Sequence, residues 1–172
     1  MNNCILFRVE FGKDIGLGHL MRSIILADSF KKKKINSIFI ISRDDFVSKI
    51  IKKKNYKIYY IRNRKIKINE NLSWTKIKND LIVLDGKNTS KKYISKLNTE
   101  NILTFKDTDN DTYLTKHVVN NHFSIKKNIK YTLNNFLYLG PKYNLINPKY
   151  FLNQKSNNNL LITMGGDDCD NM

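Results

Sequence analysis

Apolar residues along this chain fall into short unbroken runs, separated by stretches in which they recur at helical spacing. The first run, Cys4 to Val9 (CILFRV), predicts a buried strand bounded by the charged, glycine-containing loop from Glu10 to Gly18. Behind it, His19 to Lys34 (HLMRSIILADSFKKKK) sets Leu20, Ile24, Ala27 and Phe30 at helical spacing. Its lysine-rich end suits the negative end of a helix dipole. The alternation then repeats. Ser37 to Ile41 (SIFII) reads as a strand, and Asp44 to Lys54 as a short helix with Phe46, Val47, Ile50 and Ile51 on its apolar side. Tyr56 to Ile61 is a further strand, Ile66 to Leu72 a loop, and Leu72 to Asn79 a short helix. Leu81 to Leu84 (LIVL) is a very apolar strand that ends at Asp85-Gly86. Ser90 to Leu97 follows as a helix, and Ile102 to Phe105 as a strand. His117 to Val119 is a weakly patterned strand, Phe136 to Leu139 another, and Leu160 to Met164 (LLITM) the last. Strands separated by helices require crossover connections, which are right-handed and produce a mainly parallel sheet. The expected fold class is therefore α/β, a Rossmann-like, mainly parallel sheet with flanking helices.

A chain of 172 residues accommodates one ordinary domain and is too short for two full ones. One boundary stands out in the pattern. The polar segment Gln154 to Asn159 (QKSNNN) precedes LLITMGGDDCDNM, in which a new strand ends in a glycine pair. The expectation is a Rossmann-like domain over residues 1–158 and the first strand of a second domain over 159–172.

Charge changes this picture less than its size suggests. The formal net charge of +16 has the sign of a nucleic-acid binder. Yet 26 of the 31 basic residues are Lys and only 5 are Arg, and the excess comes with 24 Asn, the signature of compositional drift. No basic stripe interleaved with aromatics is present, so nucleic acid is not an expected partner. Arg8 and Glu10 interrupt the N-terminal apolar run too early for a signal peptide, and no run is long enough to span a membrane. Cys4 and Cys169, at opposite ends, make no metal or disulfide pattern, which suits a reducing cytoplasm.

Open parallel sheets bind ligands at the C-terminal ends of their strands, which directs attention to the loops at Glu10–Gly18, Asp85–Asn88 and Asp107–Asp111. In the segment IGLGH, Gly16 and Gly18 permit close backbone approach, and the following helix points unpaired amides at the loop. The spacing is not that of a dinucleotide fingerprint, and no P-loop sequence is present, so neither a nicotinamide cofactor nor an ordinary P-loop is expected. Two roles fit His19: a structural one beside the helix cap, or a general base kept neutral by the helix N-terminus. Arg22, one turn on, fits an anionic ligand or an ion pair with Glu10 or Asp14. Asp85 and Asp107 follow strands, where an acid either serves a site or orders a loop. Asp109 and Asp111 could join Asp107 around a cation, but no His or Cys supports them, and no metal site is expected.

Three ordered motifs sharpen these expectations. The first is Arg8 and Glu10 followed by Ile15, Gly16, Gly18, His19 and Arg22 (I-G-x-G-H-x-x-R). The second is Leu139, Gly140, Pro141, Tyr143 and Leu145, with an aromatic at Tyr150 or Phe151; the third is Thr163, Met164, Gly165, Gly166, Asp168 and Asn171. Together they resemble the nucleotide-sugar hydrolases of the pseudaminic acid pathway and their spore-coat polysaccharide relatives. The resemblance implies the first half of a glycosyltransferase-B-like architecture. It also implies a UDP-linked 2,4-diacetamido-2,4,6-trideoxy sugar as substrate, no metal or cofactor, and His19 as general base on the attacking water. Arg8, Glu10, Gly16, Gly18, Arg22, Asp85, Asp107, Tyr143, Gly165 and Gly166 are the implied substrate-binding residues. The chain departs from the family at Glu10, Phe11, Gly12, Lys87 and Asn147-Pro148. Against the resemblance, the sequence carries little more than the first strand of a nucleotide-clamping second domain, so the expectation is a fragment, a truncated gene product or half of a split pair with a separately encoded second domain; a non-catalytic binding fragment or accessory domain and a glycosyltransferase are the alternatives.

Overall fold

The structure, a computed structural model, describes residues 3–13, 15–87, 89–107, 115–121 and 135–147. Among these, seven strands form one sheet in the order β3-β2-β1-β4-β5-β6-β7, every neighbouring pair parallel. They are β1 (Cys4–Val9), β2 (Asn36–Ser42), β3 (Lys57–Ile61), β4 (Leu81–Asp85), β5 (Ile102–Phe105), β6 (His117–Asn120) and β7 (Phe136–Leu139). Between them run α1 (Gly18–Lys32), α2 (Asp45–Lys53) and α3 (Lys91–Ser95), with 3-10 turns at Ser73–Lys76 and Pro141–Tyr143. This is the Rossmann-like α/β sheet that the hydrophobic pattern predicts. Strand order reverses between β1 and β4, so the loops leaving these two strands diverge and open a crevice between them.

Side-chain parity divides the core. Ile5, Phe7 and Val9 of β1 face α1 and α2, packing with Leu20, Ile24, Phe39, Ile41, Ile51 and Val83. Leu6, Ile40, Ile82 and Leu84 face the other way, onto Ile66, Trp74, Tyr93 and Leu97. Phe7 stacks on Phe39 with centroids 5.1 Å apart, which ties the two central strands on the α1 side. The same parity decides which polar residues at the strand ends can meet.

Three elements differ from expectation. The apolar side of α2 is Val47, Ile50 and Ile51, whereas Phe46 is 63% exposed. Phe46 lies at the edge of the helical arc and in the first turn, where it overhangs the sheet's end; Asp44 caps the helix by accepting from the Val47 amide at 3.0 Å. The helix expected over Leu72–Asn79 is only the Ser73–Lys76 turn, with Thr75 Oγ1 donating to the Leu72 carbonyl and Asn79 Nδ2 to the Ile77 carbonyl. The helix expected over Ser90–Leu97 contracts to α3, with Ser90 accepting from the Tyr93 amide as its cap. The expected strand Leu160–Met164 and the domain boundary before it lie outside the described residues. Among the described residues no helix is long and apolar enough to cross a membrane.

Candidate active site

The loop leaving β1 turns back at Gly12, whose carbonyl accepts from the amides of Ile15 at 3.0 Å and Gly16 at 2.7 Å. Gly16 holds φ at +73°, a conformation that costs other L-residues energy, and this bend delivers the chain into α1. Leu17 caps α1 without a side-chain bond to its first turn. His19, Arg22 and Ser23 then share one face of α1, and that face meets the ends of β4 and β5.

Arg22 joins the two strand ends. Its Nε donates to Asp85 Oδ2 at 2.7 Å and its Nη2 to Asp85 Oδ1 at 2.5 Å. Toward β5, Nη1 donates to Asp107 Oδ1 at 2.6 Å and Nη2 to Asp107 Oδ2 at 3.0 Å. The guanidinium also lies 4.6 Å from the centroid of the Phe105 ring. Ser23 Oγ adds a third donor to Asp85, at 3.1 Å from Oδ2. Asp85 is fully buried, whereas the Asp107 side chain is 44% exposed at the mouth.

His19 sits between the carboxylates. Its Nδ1 is 3.6 Å from Asp85 Oδ1 and has no hydrogen-bond partner, and its Nε2 is 3.4 Å from Asp107 Oδ2. Two carboxylates share one guanidinium, and the imidazole lies against both of them. Burial pushes the Asp85 carboxyl up, against opposing pulls from Arg22, His19 and Ser23. Burial acts upward on Asp107 too, but its bonds to His19 and Arg22 outweigh it and hold the carboxyl below the usual carboxylate range. Burial disfavours the Arg22 charge, and the two carboxylates more than compensate, holding the guanidinium firmly charged.

The structure thus brings together His19, Arg22, Asp85 and Asp107 beside the turn that carries Gly16 and Gly18. It places Arg8 and Glu10 elsewhere. Arg8 is an even-numbered β1 residue on the side of the sheet away from α1, fully buried, with Nη2 donating to Glu70 Oε2 at 2.7 Å. In place of the pairing with Glu10 that spacing allowed, Arg22 binds Asp85 and Asp107. Glu10, also fully buried, accepts from the amides of Ile66 at 2.5 Å and Lys87 at 2.7 Å. A Cβ on Gly86 would stand 2.6 Å from the Glu10 side chain, so glycine is required for that approach. Tyr143 packs edge-on against Tyr138 at the end of β7, two strands along the sheet from β5. Asp14, Asp109, Asp111, His122, Gly165 and Gly166, and the rest of the third motif, lie outside the described residues. Ser23, four residues beyond His19, was legible from helical spacing alone; Glu70, a polar residue in a polar loop, gave no signal.

No protein-family model and no curated protein matches the chain. Among solved structures it is similar to MurG from Acinetobacter baumannii, at 11% identity and a TM-score of 0.51, over 78% of this chain and 45% of that one. The fold is glycosyltransferase-B-like. The chain spans less than half the length of MurG, and at this identity the likeness is one of fold. Among the described residues no group of three or more His, Cys, Asp or Glu side chains is arranged to hold a metal ion.

Proposed function

We propose that the chain acts on a nucleotide-linked sugar, with His19 as general base toward the oxygen that attacks the anomeric carbon. The observation that carries this reading is the placement of His19, at the ends of β4 and β5, between two carboxylates that share one arginine. Asp85, buried and held by Arg22 and Ser23, fixes one side of the ring. The Nε2 side faces the half-exposed Asp107 and the mouth. Proton uptake by the ring forms an imidazolium flanked by the two carboxylates, whose charge stabilises it as it forms.

With water as nucleophile, its oxygen bonds to the anomeric carbon as the bond to the nucleotide oxygen breaks. The water's proton passes to His19, and UDP leaves. The three sequence motifs favour this hydrolysis, with a UDP-linked 2,4-diacetamido-2,4,6-trideoxy sugar as substrate. The fold-level likeness to MurG favours a second reading, in which His19 deprotonates an acceptor hydroxyl and the sugar is transferred. In both, a further domain supplies the nucleotide clamp, since orientation of the bound sugar contributes much of the rate.

The test is release of UDP from the UDP-linked trideoxy sugar, by this chain alone and mixed with a separately expressed second domain. The expected result is release that needs the second domain and falls about 10²- to 10⁴-fold in His19→Ala. Release that is unchanged in His19→Ala, or absent from every mixture with and without a hydroxyl acceptor, overturns the reading.

A further inference from the structure

The loop after β4 and the end of β5 carry a second set of polar residues. Asp85 and Asp107 turn toward α1, while Lys87 and Lys106, their near neighbours in sequence, line a cleft together with Ile66, Lys67, Thr89 and Ser90. The cleft is basic. No carboxylate is among its described lining residues. The nearby buried Glu10 spends one oxygen on the Ile66 amide and the other on the Lys87 amide, so it braces the cleft walls from behind.

Thr89 supplies the second observation. It is 5% exposed, and its Oγ1 makes no hydrogen bond, an uncommon state for a buried hydroxyl. Ser90 Oγ accepts from the Tyr93 amide, which leaves its own proton to donate. Exposed Lys67 and Lys87 flank these hydroxyls. Two exposed ammonium groups beside hydroxyl donors are the chemistry that recognises an anion.

We infer that this cleft is an anion subsite, taking a carboxylate or phosphate group of a ligand that lies across the ends of β4 and β5. That the ligand's other end reaches His19 rests on the function proposed above; the anion subsite itself does not.

The experiment is a titration of the ¹⁵N-labelled chain with sodium phosphate and, in a separate arm, sodium acetate, at constant ionic strength set with chloride. Saturable shifts of the Ile66, Lys87 and Thr89 amides are expected, and the arm that saturates at lower concentration identifies the group. Lys87→Gln and Thr89→Val are each expected to raise the dissociation constant about fivefold or more. Lys53→Gln, in the separate basic cleft between the ends of α1 and α2, is expected to leave it unchanged. Absence of saturable shifts in both arms, or equal weakening by Lys53→Gln, overturns the inference. Lys87 is exposed, so its variant reports even where Thr89→Val fails to fold. His19→Ala retains anion binding if the subsite is real, which separates failure of the general-base reading from failure of this one.

Discussion

Arg8 and Arg22 both belong to the first sequence motif and both pair bidentately with carboxylates, yet they end in opposite situations. Arg8 lies wholly inside. Its Nε donates to Glu70 Oε1 at 3.0 Å, Nη1 to the Val9 carbonyl at 3.0 Å, and Nη2 to Glu70 Oε2 and the Asn63 carbonyl. Glu70 in turn accepts from Trp74 Nε1 at 3.3 Å and Tyr93 Oη at 3.1 Å. That network is closed, with its donors spent on the protein itself. Arg22 instead binds one buried and one half-exposed carboxylate, and beside it stands a histidine nitrogen with no partner. The first arrangement anchors the loop containing Glu70 to the sheet. The second leaves a buried ring nitrogen unsatisfied.

This contrast can be broken most severely at Arg8. Arg8→Ala leaves Glu70 buried without its counter-charge, so urea unfolding is expected to show a loss of about 3–5 kcal/mol. A loss under about 1 kcal/mol would mean that Glu70 relaxes to water and the network is not closed. Gly86→Ala comes next. Glu10 is pinned by two amides and cannot retreat from the new methyl, so a loss of about 1–3 kcal/mol is expected in the same assay. Arg22→Ala removes two bonds from buried Asp85 but leaves Ser23, and a loss of about 1.5–3 kcal/mol is expected, together with loss of any UDP release. The separation of the two arginines fails if Arg22→Ala proves as destabilising as Arg8→Ala.

The smallest effect sharpens the comparison through pH. The Asp107 carboxyl lies below the usual range when folded, so the folded chain binds its proton less readily than the unfolded chain does. Its contribution to stability is present above about pH 4 and is lost as pH falls through the lower folded value. Because the side chain is 44% exposed, solvent screening holds the effect below about 1 kcal/mol. Asp107→Asn is expected to remove that part of the acid dependence in urea unfolding at pH 3 to 6. An unchanged acid limb would assign it to other carboxylates, such as Asp28, which Lys54 and Tyr56 also hold below the usual range against the upward effect of burial.

Much of the fold was legible because parallel strands buried on both faces read as unbroken apolar runs, as in LIVL of β4 and SIFII of β2. Shorter elements were overdrawn, as over Leu72–Asn79, where the Thr75 and Asn79 side chains bond nearby carbonyls. Of the site, His19, Arg22, Asp85 and Asp107 were legible because each stands at a strand or helix end on the ligand-binding edge. Their partnership was not, since Arg22 reaches Asp85 across 63 residues and Asp107 across 85. Arg8 and Glu10 looked like site residues for the same positional reason, but β1 parity turns Arg8 to the opposite face, and backbone amides claim Glu10. Glu70 and Thr89 carried no pattern at all; burial alone distinguishes them.

The central claim is that the reacting groups belong to the α1 side of the β4 and β5 ends. Titrating the ¹⁵N-labelled chain with UDP-N-acetylglucosamine, a UDP-linked amino sugar, tests it most directly by mapping which amides shift. The account predicts saturable shifts over Gly16, Gly18, His19 and Arg22 and at Asp85 and Asp107. Shifts confined to the cleft at the opposite edge of the sheet, lined by Ile94, Asn98, Ile102 and Phe136, would contradict it.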